Sequence, residues 1–426
     1  MTEHEASECG CEHSSPGMSR RALLQRAAAL GTGATLATQG LATKYAFASD
    51  GYHGDVVVVL SLRGGFDGLQ AFVPTADPRY RALRPTVAIP ESRLLGLDNN
   101  FGMHPALEPL LKYWKNGTLG VVNAVGMAKP NRSHFAAMGE IERAAPGSTI
   151  RSGWLDRVLG LRSSGGAYRG VQVGANRPPV SFGGGTPELS FLSVDSFTLS
   201  KSPTAADRNA WRAALMGMND DAPALMAAPA RMAVSAVNTA ADLQRGGYRP
   251  RDAASYPHTE LGTAMKDVAH LIKSNVGLQV ACVDFGDWDM HSGMGTVGGG
   301  WLRSHLSQLA KTLDAFASDL GSTMGRVTVI TLSEFGRRVK ENGSGGTDHG
   351  HGQAVMLLGG GVKGGQVYGQ WPGLADAALV DGDLAVTTDY RNVLAELLEK
   401  RCGAGSLSTV FPDLTADRLG AFRARA

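Results

Sequence analysis

The apolar positions of this chain alternate between short uninterrupted runs and longer segments in which apolar residues recur every three or four positions. Residues 55–62 (DVVVVLSL) hold a β-branched run, the pattern typical of a strand that is buried on both faces. Similar runs predict strands at 119–124, 278–283, 326–332 and 354–358.

Helical spacing of apolar residues separates these runs. It predicts helices over 105–114, 133–143, 261–275, 301–320 and 388–400. Strands that alternate with helices favour an α/β fold, a mostly parallel sheet with helices on both faces.

Residues 160–255 lose this alternation. They are rich in Gly, Pro and Ala, with short predicted strands at 171–173 and 191–194 and Ala-rich helices at 205–215 and 230–243. We interpret this stretch as an α-rich insertion or cap of one domain that spans 49–426.

The first 48 residues have the features of a targeting segment. Arg20 and Arg21 precede a weakly hydrophobic run rich in Ala, Gly and Leu, and Ala46-x-Ala48 offers a small-residue cleavage site. An amphipathic surface helix would need a polar face, whereas residues 27–37 are apolar or small almost all round. The pattern predicts a twin-arginine signal peptide, use of the twin-arginine export machinery, and a periplasmic or extracellular mature protein. The threonines of the segment make it too polar for a stable membrane anchor.

The amino-acid composition narrows the class of protein further. The 426 residues are 43% hydrophobic and 19% charged with a formal net charge of +2, which fits a globular protein and gives no indication of nucleic-acid binding. Two of the four cysteines lie in the predicted signal segment, which leaves Cys282 and Cys402 in the mature chain. Two cysteines so far apart in the sequence do not establish a disulfide framework.

The candidate chemistry lies in two loops that follow predicted strands. Gly346-Thr-Asp-His-Gly-His-Gly352 contains Asp348 and His349, and the 284–291 loop contains Asp289 and His291. Carboxylates and neutral imidazoles are the usual ligands for zinc, manganese or iron. In parallel sheets, ligands bind beyond the carboxyl ends of the strands, so the two loops are expected to meet at one edge.

The order of these motifs resembles the alkaline phosphatase and sulfatase superfamily. More closely, the chain resembles an exported bacterial family, domain of unknown function 1501, that is assigned to this superfamily. The motifs that carry the resemblance are Leu62-Arg-Gly-Gly-x-Asp67-Gly-Leu69, His104-Pro-Ala-Leu107, Ser133-His-Phe135, Trp288-Asp-x-His291, Ser333-Glu-Phe-Gly-Arg337 and Gly346-Thr-Asp-His-Gly350.

The resemblance implies a metal site with one or two divalent ions, zinc first, with manganese, magnesium or calcium as alternatives. Asp67, Asp348 and His349 would bind one ion, and Asp289 and His291 a second. The resemblance also places Ser133 where the superfamily carries its nucleophile. A helix start would favour both an alkoxide and an anionic substrate there, and the alternative for Ser133 is a plain N-cap.

Two departures from the superfamily pattern leave the ligand set open. The Asp289-x-His291 spacing is shorter than the usual Asp-x-x-x-His, and Asp287 stands at the longer spacing, so either aspartate could ligate. No histidine follows His351, so the late histidine of the superfamily has no obvious counterpart. Either His351 or a water molecule takes its place, or only one ion binds. Glu334 is interpreted either as a ligand or as the partner of Arg337.

Arg132, His134 and Arg337 are candidate substrate-binding residues, because they could donate hydrogen bonds to a phosphate or sulfate group. His104, which precedes Pro105, is predicted to hydrogen-bond at a helix start. The leading hypothesis for function is an exported metal-dependent hydrolase of phosphate or sulfate esters. The alternative is a non-catalytic exported binding or assembly protein that keeps the fold.

Overall fold

The computed structural model describes residues 52–161, 165–198, 204–218, 224–251 and 254–425. The predicted signal peptide over 1–48 lies outside the described residues. The described strands are β1 (Val56–Leu62), β2 (Phe72–Pro74), β3 (Leu95–Gly96), β4 (Phe101–Met103), β5 (Leu119–Gly126), β6 (Gly170–Val173), β7 (Leu189–Phe191), β8 (Val280–Phe285), β9 (Val327–Leu332), β10 (Gln353–Gly359), β11 (Val367–Tyr368), β12 (Leu379–Val380), β13 (Asp383–Leu384) and β14 (Thr388–Asp389).

The helices lie mainly between these strands. They are α1 (Gly68–Ala71), α2 (Arg79–Leu83), α3 (Leu111–Lys115), α4 (His134–Arg143), α5 (Trp154–Gly160), α6 (Ala205–Gly217), α7 (Ala224–Gly246), α8 (Glu260–Lys273), α9 (Trp301–Leu320), α10 (Tyr390–Leu397) and α11 (Leu407–Val410). A π-helical turn, Leu398–Cys402, continues α10, and a 3₁₀ helix, Pro105–Leu110, precedes α3.

The central feature is a nine-stranded sheet with the order β11-β5-β10-β9-β1-β8-β6-β7, in which β14 also pairs with β5. Strand β1 runs parallel to β8 and β9, and β6 runs parallel to β7 and β8. Strand β10 runs antiparallel to both of its neighbours, β5 and β9. The predicted fold class, a mostly parallel α/β sheet, is confirmed.

The continuous apolar run of β1 reflects burial on both faces of the sheet. Val56, Val58 and Leu60 belong to one buried cluster, whereas Val57 and Val59 belong to another on the opposite side. Successive strand residues point to opposite faces, so a strand covered on both sides must be apolar at every position.

Part of the stretch predicted as an insertion belongs to the main sheet. Strands β6 and β7 fall within 160–255 and extend the sheet beyond β8, while α6 and α7 supply the α-rich part. The stretch therefore contributes to the core as well as to the periphery.

The direction of β10 decides where the glycine-rich 346–352 segment lies. This segment precedes β10, and β10 enters the sheet antiparallel to β9. The loop from the end of β9 to the start of β10 thus stays at the edge where β1 and β8 also end. Within the described part of the chain, no helix combines the length and apolar character needed to cross a membrane.

Candidate metal centre

Three imidazoles and one carboxylate converge at this edge of the sheet. The Nε2 atom of His349 lies 2.9 Å from Nε2 of His134 and 2.9 Å from Nε2 of His291. Asp289 Oδ1 lies 3.1 Å from Nε2 of His349 and 3.0 Å from Nε2 of His291. The group of His134, Asp289 and His349 is compact enough to hold a metal ion, and His291 adjoins it.

Each of the three imidazoles has its other ring nitrogen held by an oxygen atom. The Nδ1 contacts are His134 to Glu334 Oε1 at 2.7 Å, His291 to Asp348 Oδ1 at 2.8 Å, and His349 to the Arg132 carbonyl at 2.9 Å. Carbonyl and carboxylate oxygens accept hydrogen bonds, so each Nδ1 is the donor and, in a neutral ring, each Nε2 carries a lone pair. The three lone pairs are directed at one another and at a carboxylate.

Such an arrangement is unfavourable unless a cation or added protons lie between the nitrogens. Metal-bound histidines typically donate the second ring N–H to a carboxylate or carbonyl oxygen, which fixes the ring orientation. Two ligands on one ion at ~2.0–2.1 Å lie roughly 2.9–3.4 Å apart when the angle between the bonds is about 90–109°. The observed nitrogen separations fall at the short end of this range, so the donor set fits a transition-metal ion.

Asp289 is held in its charged form by a buried guanidinium. Burial alone would raise the pKa of Asp289, but a hydrogen bond from Arg337 and the charge of Arg337, with smaller contributions from His349 and His291, lower it to about 2. The carboxylate is 44% exposed on its side chain, as is His291. Solvent or a substrate can therefore reach the centre.

The glycines around the site allow the loops to approach one another. Gly64, which follows β1, has a φ of +117°, and a Cβ there would lie 2.6 Å from the backbone nitrogen of Asp289. A Cβ at Gly350 would overlap the backbone of Arg337, where Arg337 and His349 form an isolated antiparallel bridge. These close contacts bring loops from three strands to one point.

Of the two aspartates left open by the sequence, Asp289 lies in the centre. Asp287 has a φ of +64° and is exposed. The left-handed backbone at Asp287 turns the chain so that Asp289, two residues later, faces the imidazoles.

Asp348, predicted as a ligand, contacts the outer nitrogen of His291, and its metal-binding role stays a prediction. The hydrogen bonds from Asn342 and His291 are the main causes that lower the pKa of Asp348. Its neighbour His349 faces inward, so these two adjacent residues have different partners.

Asp67, also predicted as a ligand, lies beside the centre and is paired with an arginine. It is 3% exposed, and its two oxygens accept hydrogen bonds from Arg84 Nη1 at 3.0 and 2.8 Å. Thr347, the residue before Asp348, donates to the same carboxylate at 3.3 Å. The metal-binding role of Asp67 stays a prediction, and this placement favours a structural role instead.

The three predicted substrate-binding residues occupy different environments. Arg337 is 2% exposed, and it donates to the carbonyls of Gly65, Thr347 and Trp288 as well as to Asp289. This burial disfavours a contact between Arg337 and an external anion. His134 directs its Nε2 towards His349 and Asp289 in the candidate centre, and its side chain is 29% exposed.

Arg132 and Ser133 immediately precede His134, and both are accessible to solvent. The side chain of Arg132 is 34% exposed and pairs with Asp383, with Nε 2.9 Å from Oδ2. Ser133 is exposed at the start of α4, and its side chain makes no capping hydrogen bond. The plain N-cap interpretation of Ser133 therefore has no hydrogen bond to support it.

The sequence did not indicate which residues hold the outer, Nδ1 nitrogens of the imidazoles or support the surrounding loops. Glu334, interpreted as a ligand or as the partner of Arg337, is the partner of His134 and also accepts from the Gly64 backbone at 2.8 Å. Arg84 and Asn342 carried no signal in the sequence, because nothing local relates them to the loops they contact.

Comparison with solved structures gives matches of low identity. The lipoteichoic acid synthase LtaP from Listeria monocytogenes is 9% identical over 79% of this chain and 74% of that chain, with a TM-score of 0.35. The zinc complex of the C-terminal periplasmic domain of EcEptC from Escherichia coli is 9% identical over 73% and 74%, with a TM-score of 0.32. The PsFucS1 sulfatase from Pseudoalteromonas sp. is 11% identical over 87% and 70%, with a TM-score of 0.33. Superpositions at this level assign no role to any residue.

No curated protein matches the chain in sequence. Residues 114–399 match the family described as "Protein of unknown function (DUF1501)". The match covers α4 and the loops that carry Asp289, His291, Asp348 and His349, so it includes the whole candidate centre except the residues after β1. The chain belongs to the DUF1501 family.

Proposed function

We propose that this protein is a metal-dependent hydrolase of phosphate or sulfate esters, exported by the twin-arginine pathway to the periplasm or outside the cell. The proposed ligands are His134, His291, His349 and Asp289. The ion is a divalent metal, with zinc first because imidazole ligands suit it.

One observation carries this proposal. Three imidazole Nε2 atoms converge on the Asp289 carboxylate while an oxygen acceptor holds each Nδ1. Three separate acceptors fix the orientations of the three imidazole rings. The three Nε2 atoms and the Asp289 carboxylate oxygen would all bind a cation placed between them.

A bound divalent ion would supply Lewis-acid chemistry, polarising an ester oxygen and favouring deprotonation of an attacking hydroxyl group. The residues of the chain supply the rest. Glu334 and Asp348 hold the imidazoles of His134 and His291 in orientation, and Arg337 orients the Asp289 carboxylate and keeps it ionised. The partial exposure of the inward side chains leaves room for an ester group.

Ser133 is the proposed nucleophile. It is exposed, directly precedes His134, and stands at the N-terminal end of α4, where the helix dipole favours negative charge. Arg132 beside it is proposed to contact the anionic group of the substrate. The export part of the proposal depends on residues 1–48, which lie outside the described chain.

Metal analysis of the purified mature protein tests the centre. After dialysis against zinc or manganese, we expect at least one bound ion in the wild type and in the control His258→Ala, and none in His349→Ala. Glu334→Gln keeps the shape of the side chain but weakens the acceptor for His134, and should lower the metal affinity about 10–100-fold. A wild-type protein that retains no ion would reject the centre.

The Ser133→Ala variant tests the nucleophile. Because Ser133 makes no capping bond, we expect its free energy of unfolding to change by less than about 0.5 kcal/mol. Metal content should be unchanged, and hydrolysis of p-nitrophenyl phosphate or p-nitrophenyl sulfate should be lost. An active variant with normal metal content would remove Ser133 from the mechanism, and a metal-loaded wild type that hydrolyses neither ester would favour the binding protein instead.

A further inference from the structure

A cleft of about 910 Å³ opens beside the metal centre, and none of the residues proposed as metal ligands lines it. One wall is formed by Asn131, Arg132 and Ser133. The carbonyl of Arg132 accepts the hydrogen bond from His349, and Ser133 directly precedes His134. The cleft and the centre therefore share one wall.

The lining of the cleft is more apolar than polar. Met127, Ala128 and Pro130 follow β5, Pro146 follows α4, and the buried Tyr390 begins α10. Small-molecule sites typically enclose roughly 300–1,000 Å³ and combine an apolar lining with a few polar groups. The size and lining of this cleft fit an organic group rather than an inorganic anion.

Charged side chains surround this apolar lining. Arg132 pairs with Asp383, and Arg391 pairs with Asp389, with Nη2 2.6 Å from Oδ2. Lys129 and Glu140 also line the cleft; both are exposed, and neither forms an ion pair within the described part of the chain. The positive and negative charges around the cleft therefore balance, and the binding of an organic group depends on the apolar lining.

We propose that this cleft binds the organic part of an aryl or alkyl monoester whose anionic group lies at the metal centre. The inference rests on the proposed function for the position of the anionic group. It adds a substrate class, because an ester with a large apolar group would fill the cleft and a small polar ester would leave it empty.

The test uses two pairs of ligands that differ only in the organic group. Binding of 1-naphthyl phosphate and methyl phosphate, and of 1-naphthyl sulfate and methyl sulfate, is measured by calorimetry on the metal-loaded protein. In at least one pair the naphthyl ester should bind about tenfold or more tightly than the methyl ester, because only the naphthyl group buries apolar surface in the cleft.

Ala128→Trp then fills the cleft from an exposed position without changing the core. It should weaken naphthyl ester binding by about tenfold or more and leave methyl ester binding and metal content unchanged. Ala377→Trp places the same side chain at an exposed site outside the cleft lining and should behave as the wild type.

Equal affinity for the naphthyl and methyl esters would overturn the proposal, as would a naphthyl preference that survives Ala128→Trp. Turnover of the same esters is scored separately. A naphthyl preference that depends on the cleft, without turnover, would support the cleft proposal and contradict the proposed hydrolase function. Turnover without that preference would support the hydrolase function and contradict the cleft proposal.

Discussion

Asp67 and Arg84 form an ion pair that is almost completely shielded from water. Their side chains are 4% and 0% exposed, and Arg84 also donates to the carbonyls of Val339 and Arg338. The pair therefore joins the turn after β1 to the loop between β9 and β10, which carries His349 of the candidate centre. A buried charge that loses its partner is strongly destabilising, whereas an exposed pair contributes little.

We expect Arg84→Met to lower the free energy of unfolding by about 3–5 kcal/mol, because it leaves the Asp67 carboxylate buried without its partner. Arg81→Met is the matched control, since Arg81 pairs with Glu91 at 3.1 Å on the surface. Its effect should stay within about 1 kcal/mol. Urea denaturation of both variants measures the difference.

Asp67→Asn separates the structural role of Asp67 from the predicted metal-binding role. If the Arg84 pair is its function, the variant should be less stable but bind as many metal ions per folded chain as the wild type. A folded Asp67→Asn protein with a reduced metal stoichiometry would support the ligand role instead.

Among the elements, helix α8 shows how local sequence begins a helix of this fold. Thr259 has an extended backbone, and its side chain accepts a hydrogen bond from the Gly262 backbone at 3.2 Å. The helix then buries Leu261, Met265 and Val268. The predicted helix over 261–275 is thus confirmed as Glu260–Lys273, and its first residue follows from the cap.

Replacing Thr259 with Ala should lower the free energy of unfolding by about 1 kcal/mol, because one backbone N–H of the first turn loses its acceptor. Thr259→Ser keeps the oxygen and should restore most of the stability. Thr263→Ala, on the exposed side of the same helix, should change stability by less than about 0.5 kcal/mol. Equal losses at 259 and 263 would contradict the capping role.

For the molecule as a whole, stability should depend on pH through buried histidines. His104 is 1% exposed, and its Nδ1 accepts a hydrogen bond from the Ala106 backbone at 2.9 Å, which confirms the predicted role at a helix start. Burial and the charge of Arg303 lower the pKa of His104 to about 4 from its usual value of 6.5. Below pH 6.5 the unfolded chain therefore binds more protons than the folded chain.

The stability that the folded chain gains by keeping His104 neutral should be fully present above pH 6.5. It should be lost as the pH falls from 6.5 to about 4. The full loss is on the order of 3 kcal/mol. His104→Asn keeps a capping acceptor without a titrating ring, so its free energy of unfolding should fall less between pH 7 and pH 4.5. His351, whose pKa burial also lowers to about 4, leaves part of the dependence in place. An unchanged pH dependence in His104→Asn would contradict this account.

The proposed export depends on the paired arginines Arg20 and Arg21 of the N-terminal segment. Arg20→Lys combined with Arg21→Lys should retain the protein in the cytoplasm with its signal segment uncleaved, because the twin-arginine machinery reads this pair. Fractionation and the N-terminal sequence of the product measure both effects. Normal export of the double variant would reject the predicted pathway.

The local pattern of apolar residues was sufficient to predict the main strands and helices and the loops that contain the candidate ligands. The apolar run of β1 and the helical spacing of residues 301–320 reflect burial that each segment experiences along its own length, so periodicity predicts them. The same reasoning brought Asp289, His291 and His349 to one edge, because strands that end together place their following loops together.

The tertiary structure decided which atoms face the centre. His134 turns its Nε2 inward because Glu334, 200 residues away along the chain, holds its Nδ1, and no local pattern relates the two. Asp67 faces Arg84, and Asp348 holds the outer nitrogen of His291, although both resemble ligands in sequence. The sequence alone thus determined the residue types and the edge of the sheet, whereas ring orientation and charge pairing depend on contacts between distant segments that only the folded chain brings together.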